Sequence, residues 1–139
     1  LFFLTLIFFT MFSGYSQSIK NKHSLNITVT NFKNTKGSLR VCITDQKNNF
    51  LKECLFSQIV SIENDNVSLS FENLKNGTYA VSVYHDENNN GILETSGIFG
   101  FPSEPFGFSK NPSVRFGPPS FKKSAVIVNI DKNITIKLN

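Results

Sequence analysis

Period-two alternation, turn chemistry between the alternating segments and the lack of any helical period predict an all-β chain. The expected architecture is a single antiparallel β-sandwich of about seven strands, immunoglobulin-like or transthyretin-like. Apolar and polar residues alternate in four segments, and two more are apolar on both faces. Clusters of Asn, Asp and Gly stand between them, supplying positive φ or Asx turns where a chain reverses. With 139 residues, 40% hydrophobic and 17% charged, the chain can build one core and is too weakly charged for disorder.

Residues 1–12, LFFLTLIFFTMF, carry no charge, and the first charged residue is Lys20. A membrane span needs roughly 20 residues; this shorter run fits the apolar stretch of a secretory signal peptide. Small residues for cleavage follow in Ser13-Gly14-Tyr15-Ser16-Gln17-Ser18. The expected organisation is a signal peptide over 1–16, a flexible segment over 17–24 and the sandwich over 25–139. The run opens without Met or a basic stretch, so the leader is expected to begin upstream of Leu1. Export to the periplasm or beyond follows. No Cys follows the run, so no lipid anchor is expected; a transmembrane segment is not expected in the mature chain either.

The first strand is expected where Leu25, Ile27 and Val29 alternate with Asn26, Thr28 and Thr30. The second places Leu39, Val41 and Ile43 on one face and Arg40, Cys42 and Thr44 on the other. Segment 51–56 follows the turn-like Asp45-Gln46-Lys47-Asn48-Asn49. A hairpin centred on Asn48 sets Cys42 opposite Cys54, and in an oxidising compartment such thiols pair. The alternative is two free thiols on neighbouring strands. Two thiols are too few for a structural zinc site, and no C-x-x-C suggests redox chemistry. Further strands are expected at Val67, Leu69 and Phe71, and at Ile134, Ile136 and Leu138. Segments 79–84 and 125–128, apolar on both faces, read as central strands.

The exception is 97–121, which holds all five prolines, four of eight glycines and six of fifteen phenylalanines. A loop this long is functional or packed by its own side chains. Phe99, Phe101, Phe106 and Phe108 either fold back as core or form an apolar surface. Such a surface would suit a hydrophobic ligand or an envelope or cell-surface protein.

The sharpest local pattern is His85-Asp86-Glu87-Asn88-Asn89-Asn90-Gly91-Ile92-Leu93-Glu94. Counted from Asp86, oxygen side chains fall at the first, third and fifth positions, Gly91 at the sixth and the Ile92 carbonyl at the seventh. Glu94 falls at the ninth. That is how a calcium loop begins. An EF-hand is excluded, because Gly97 stands where its bidentate Glu belongs. Two readings remain: a weak calcium site made by Asp86, Asn88, Asn90, Ile92 and Glu94, or a plain hairpin turn at Asn90-Gly91. On the calcium reading, Asp86→Ala leaves the metal-free fold nearly unchanged. No cofactor other than calcium is expected.

Three motifs in order carry a resemblance. They are Gly77-Thr78-Tyr79-Ala80-Val81-Ser82-Val83-Tyr84 running into the 85–91 segment, Gly100-Phe101-Pro102-Ser103-Glu104-Pro105-Phe106-Gly107-Phe108, and Phe116-Gly117-Pro118-Pro119-Ser120-Phe121. Together they resemble the exported bacterial domain-of-unknown-function family numbered 2141, over roughly 25–139. Glu94 stands where that family usually has Asp. The resemblance implies a small exported β-sandwich and says nothing of Cys42 and Cys54.

The formal charge of +4 comes from scattered lysines on an exported chain, so nucleic-acid binding is not expected. Catalysis is not expected either. Adjacent strand residues face opposite ways, so His85 and Asp86 do not meet, and no G-x-S-x-G or HExxH motif is present. The expectation is a non-enzymatic exported module, with docking through the Phe-rich 97–121 loop as the alternative. A small hydrolase stands third and would need a pocket with His85 in reach of a nucleophile.

Overall fold

The computed structural model describes residues 21–139. The signal peptide expected over 1–16, and residues 17–20, lie outside the described residues. Of the segment expected to be flexible, Lys22–Ser24 already belongs to the first strand.

The chain is nearly all β, as its alternation predicts. Its strands are β1 (Lys22–Thr30), β2 (Ser38–Thr44), β3 (Phe56–Ser61), β4 (Val67–Lys75) and β5 (Gly77–Asp86). Then come the short β6 (Thr95–Ser96), β7 (Phe101–Pro102) and β8 (Phe106–Phe108), followed by β9 (Ala125–Val128) and β10 (Lys132–Lys137). The short strands fall within or beside the Phe-rich segment, which also ends in a four-residue helix, α1 (Phe121–Ser124). Ser120 caps that helix by accepting from the Lys123 amide.

One sheet has the order β10-β1-β4, and the other β3-β2-β5-β8 with β9 also on β5; β6 and β7 form a separate ribbon. Leu25, Ile27 and Val29 of β1 and Ile136 of β10 share one buried cluster with Leu39, Val41, Ile43, Val81 and Val83 of the second sheet. Burying each such side chain contributes about 1.5–3 kcal/mol. A one-residue slip would turn the whole set outward, so burial decides the register.

Three expectations are corrected. First, β10 joins β1 in parallel, whereas the other pairings are antiparallel. The final residues are then tied by the Leu138 amide to the Thr30 carbonyl at 3.0 Å and the Asn139 amide to the Phe106 carbonyl at 2.9 Å. Second, β9 pairs only with β5 and leaves Ile127 60% exposed, so 125–128 is an edge, not a centre. Third, the partner strand of β2 is Phe56–Ser61 rather than 51–56. A 3-10 turn at Lys47–Asn49 and a left-handed Leu51 (φ 63°) lengthen the connection, and Cys42 pairs in register with Ser57.

Two glycines permit close approaches. Gly37 has φ 66°, and a Cβ there would stand 1.9 Å from the Asp86 carbonyl oxygen. A Cβ on Gly107 would stand 2.7 Å from Ile136 Cγ2 and 2.9 Å from the Lys137 carbonyl oxygen. Gly107 therefore lets β8 close against the end of β10.

Candidate functional site

Strand register defines the outer face of the second sheet. Leu39, Val41, Ile43, Val81 and Val83 point into the core, so their neighbours point out. Two rows cross the face: Ile59–Arg40–Tyr84–Phe106 and Ser57–Cys42–Ser82–Phe108. These rows floor a groove of about 640 Å³. Phe99 and Phe101 flank it on the β6–β7 side, Val114 and Pro118 on the next loop, and Leu51 and Lys52 on the β2–β3 connection. The volume lies within the range of small-molecule sites. The lining is mainly apolar, with Arg40 and Lys52 its cations and no carboxylate among the lining residues.

The phenylalanines divide between the two readings. Phe108 is buried and Phe106 half-buried, and both join an aromatic cluster in which Phe50 contacts Phe108 and Phe121. Phe99 is 84% and Phe101 56% exposed; they touch each other edge-on at 6.3 Å. The first pair is floor and core, and the second pair is surface.

Cys42 and Cys54 stand at disulfide distance, with S–S 2.03 Å and Cα–Cα 5.3 Å, beside the groove. They reach each other across the lengthened connection, not as opposed residues of a hairpin. Leu55, just after Cys54, donates to the Ile43 carbonyl at 2.8 Å and seats the returning chain.

The 86–94 loop closes the neighbouring part of the same face. Asp86 points outward like Tyr84 but is fully buried, because the loop folds over it. One carboxylate oxygen accepts from Arg40 Nε at 2.5 Å and the Gly91 amide at 2.8 Å, and the other from the Asn90 amide at 3.0 Å. Burial alone would raise the Asp86 pKa. The Arg40 hydrogen bond, the two amides and the guanidinium charge outweigh it and hold the carboxyl below its ordinary value. Arg40 thus stands at the carboxylate where the calcium reading places a metal.

The remaining residues of that reading hold the turn. Asn88 Oδ1 accepts from the Asn90 amide at 3.1 Å, and Asn90 Oδ1 from the Ile92 amide at 2.9 Å. Both side-chain amides donate to Glu94 Oε1 at 2.9 Å. So Asn88, Asn90 and Glu94 come together, Asp86 faces Arg40, and Ile92 contributes its amide. Among the described residues no three His, Cys, Asp or Glu side chains group closely enough to hold a metal.

Sequence reasoning undervalued two residues. Arg40 was legible only as the polar half of an alternation, although an Arg on a strand face opposite an acidic turn is a pairing signal. Glu104 is buried, accepts from the Glu87 amide at 3.0 Å and the Glu94 amide at 3.1 Å, and so pins the loop to the Phe-rich segment. Its signal is to be the lone carboxylate between Thr95 and Ser124.

His85 points the other way from Asp86, as alternation requires. It is fully buried, packs edge-on against Phe32 at 5.4 Å, and its Nε2 lies 2.6 Å from the Lys36 carbonyl. A carbonyl only accepts, so Nε2 carries the proton. His85 is not among the residues that line the groove.

A family model described as an uncharacterized protein conserved in bacteria (DUF2141) matches residues 27–137, and the chain belongs to that family. Neither the curated proteins nor the solved structures give a match.

Proposed function

We propose that this member of the DUF2141 family is an exported, non-enzymatic binding module whose groove takes a single-chain amphiphile with an acidic head. The observation that carries the reading is the groove itself. Its volume suits a small-molecule guest, its floor and flanks are apolar, and its ionic groups are Arg40 and Lys52 without a lining carboxylate. Arg40 uses Nε on Asp86, which fixes the guanidinium beside the groove. Tyr84 adds a hydroxyl in the same row, and burial raises its pKa, with the nearby Asp86 and Glu104 adding to the rise and Arg40 opposing it. The hydroxyl is neutral at physiological pH and repels no anion. Export is supported by the apolar leader-like run and by a cysteine pair suited to an oxidising compartment.

The test is titration of a long-chain carboxylate against a bound apolar dye, using the chain from residue 17, which contains every described element. Ser82 lies in the floor row between Cys42 and Phe108 and points away from the core. Ser82→Phe should fill the floor and weaken binding at least tenfold while leaving the Tm in place. Undiminished binding by that variant, or no displaceable binding by the parent chain, would sink the proposal.

Calcium stabilisation of the 86–94 loop is the second reading, supported only by the spacing of oxygen side chains from Asp86 to Glu94. Melting in EDTA and in millimolar calcium tests it, since a ligand of the folded state must raise the midpoint.

A further inference from the structure

The most exposed large apolar side chains stand on two loops beside the groove. Ile98 is 98% exposed and Phe99 84%, at the tip between β6 and β7; Phe116 is 96% exposed on the following loop. Both loops contribute lining residues to the one groove, Phe99 and Gly100 from the first and Val114 and Gly117 from the second. The two tips therefore belong to one side of the molecule. They stand on turns, with Gly97 and Gly100 both at positive φ, and Phe99 meets Phe101 edge-on.

The segment that carries the tips is mainly cationic, with the exposed Glu94 just ahead of it. From Thr95 to Ser124 the ionisable residues are Glu104, Lys110, Arg115, Lys122 and Lys123. Glu104 is buried and bound to two amides, whereas the four cations are exposed. Arg115 lies against Phe116, with its guanidinium carbon 6.0 Å from the ring centroid. Exposed apolar tips with a cation such as Arg115 beside them suit an anionic bilayer surface: side chains enter the acyl boundary, and the cation remains at the headgroups.

We infer that the 97–100 tip and the 115–116 tip dock this domain on an anionic lipid surface. The inference is independent of what fills the groove. Docking needs no guest, and a guest could be bound without docking.

The test is co-sedimentation of the chain from residue 17 with phosphatidylcholine vesicles, with and without phosphatidylglycerol. Binding should require phosphatidylglycerol and weaken as salt rises. The triple variant Ile98→Ser, Phe99→Ser, Phe116→Ser should lose at least tenfold in partitioning. Arg115→Ser should lose about fivefold. These side chains are almost wholly exposed, so the variants should keep the parent Tm. Ile127→Ser with Ile130→Ser serves as the control, since both residues are exposed but do not line the groove; it should partition like the parent. Absence of sedimentation with phosphatidylglycerol vesicles overturns the inference. So does partitioning that the triple variant retains in full, or a stable dimer that the triple variant abolishes.

Discussion

Replacing Asp86 by Ala separates a structural ion pair from a metal loop. The carboxylate accepts from Arg40 Nε and from the Gly91 and Asn90 amides. The Asn90 amide keeps a second acceptor in Asn88 Oδ1, so the variant strands one amide and one guanidinium. Removing one member of a buried ion pair costs about 3–5 kcal/mol. The Arg40 side chain is 25% exposed and regains part of its hydration, which places the loss at the low end, about 3 kcal/mol. The stranded Gly91 amide adds about 1 kcal/mol. The Tm should fall by roughly 10–15 °C for a domain of this size. The assay is thermal unfolding of the chain from residue 17, in EDTA and in millimolar calcium. The same loss is expected in both, and Arg40→Met in the Asp86→Ala background should add little, because the pair is already broken. A loss under about 1 kcal/mol in EDTA, with a calcium-dependent gain that only the parent shows, would refute the ion-pair account and install the calcium loop.

Other perturbations act on the same framework. Asp86 is held below its ordinary pKa, so the unfolded chain takes up its proton first. The stabilisation from Asp86 is complete above the unfolded value near 3.9 and declines as pH falls through the folded value. Urea midpoints should therefore drop below about pH 4, and the drop should be smaller in Asp86→Asn. Gly107→Ala sets a methyl group against Ile136 and the Lys137 carbonyl, so it should cost about 1–3 kcal/mol in urea unfolding; a neutral result would mean that β8 shifts freely. Reducing the Cys42–Cys54 pair opens a loop with a sequence separation of 12 and should lower stability by about 2–3 kcal/mol. An unchanged midpoint on reduction would show that the connection holds itself.

Alternation made most of the fold legible. Leu25, Ile27 and Val29, and Leu39, Val41 and Ile43, point inward as their spacing requires. Alternation does not report a strand's neighbours, so the parallel pairing of β10 and the edge position of β9 were hidden. Ile127 looked like a core residue because composition cannot tell a sheet edge from its centre. The β2–β3 connection was misjudged by a few residues because Leu51 takes a left-handed conformation that no Gly or Asn announces there. In the 86–94 loop, spacing brought out the oxygen side chains and the reversal at Gly91. It could not show that Asp86 would be claimed by Arg40, because that contact joins two strands far apart in sequence. The groove was invisible for the same reason: each row of its floor takes residues from four strands.

The proposed function stands or falls on whether the outer face of the β3-β2-β5-β8 sheet takes a ligand in its groove. Amide shift changes, mapped residue by residue while a long-chain carboxylate is titrated in, test it most directly. Saturable changes should run along Ser57–Ile59, Arg40–Cys42, Ser82–Tyr84 and Phe106–Phe108, with the β10-β1-β4 sheet unmoved. Changes spread over both sheets, or no saturation at all, would contradict it.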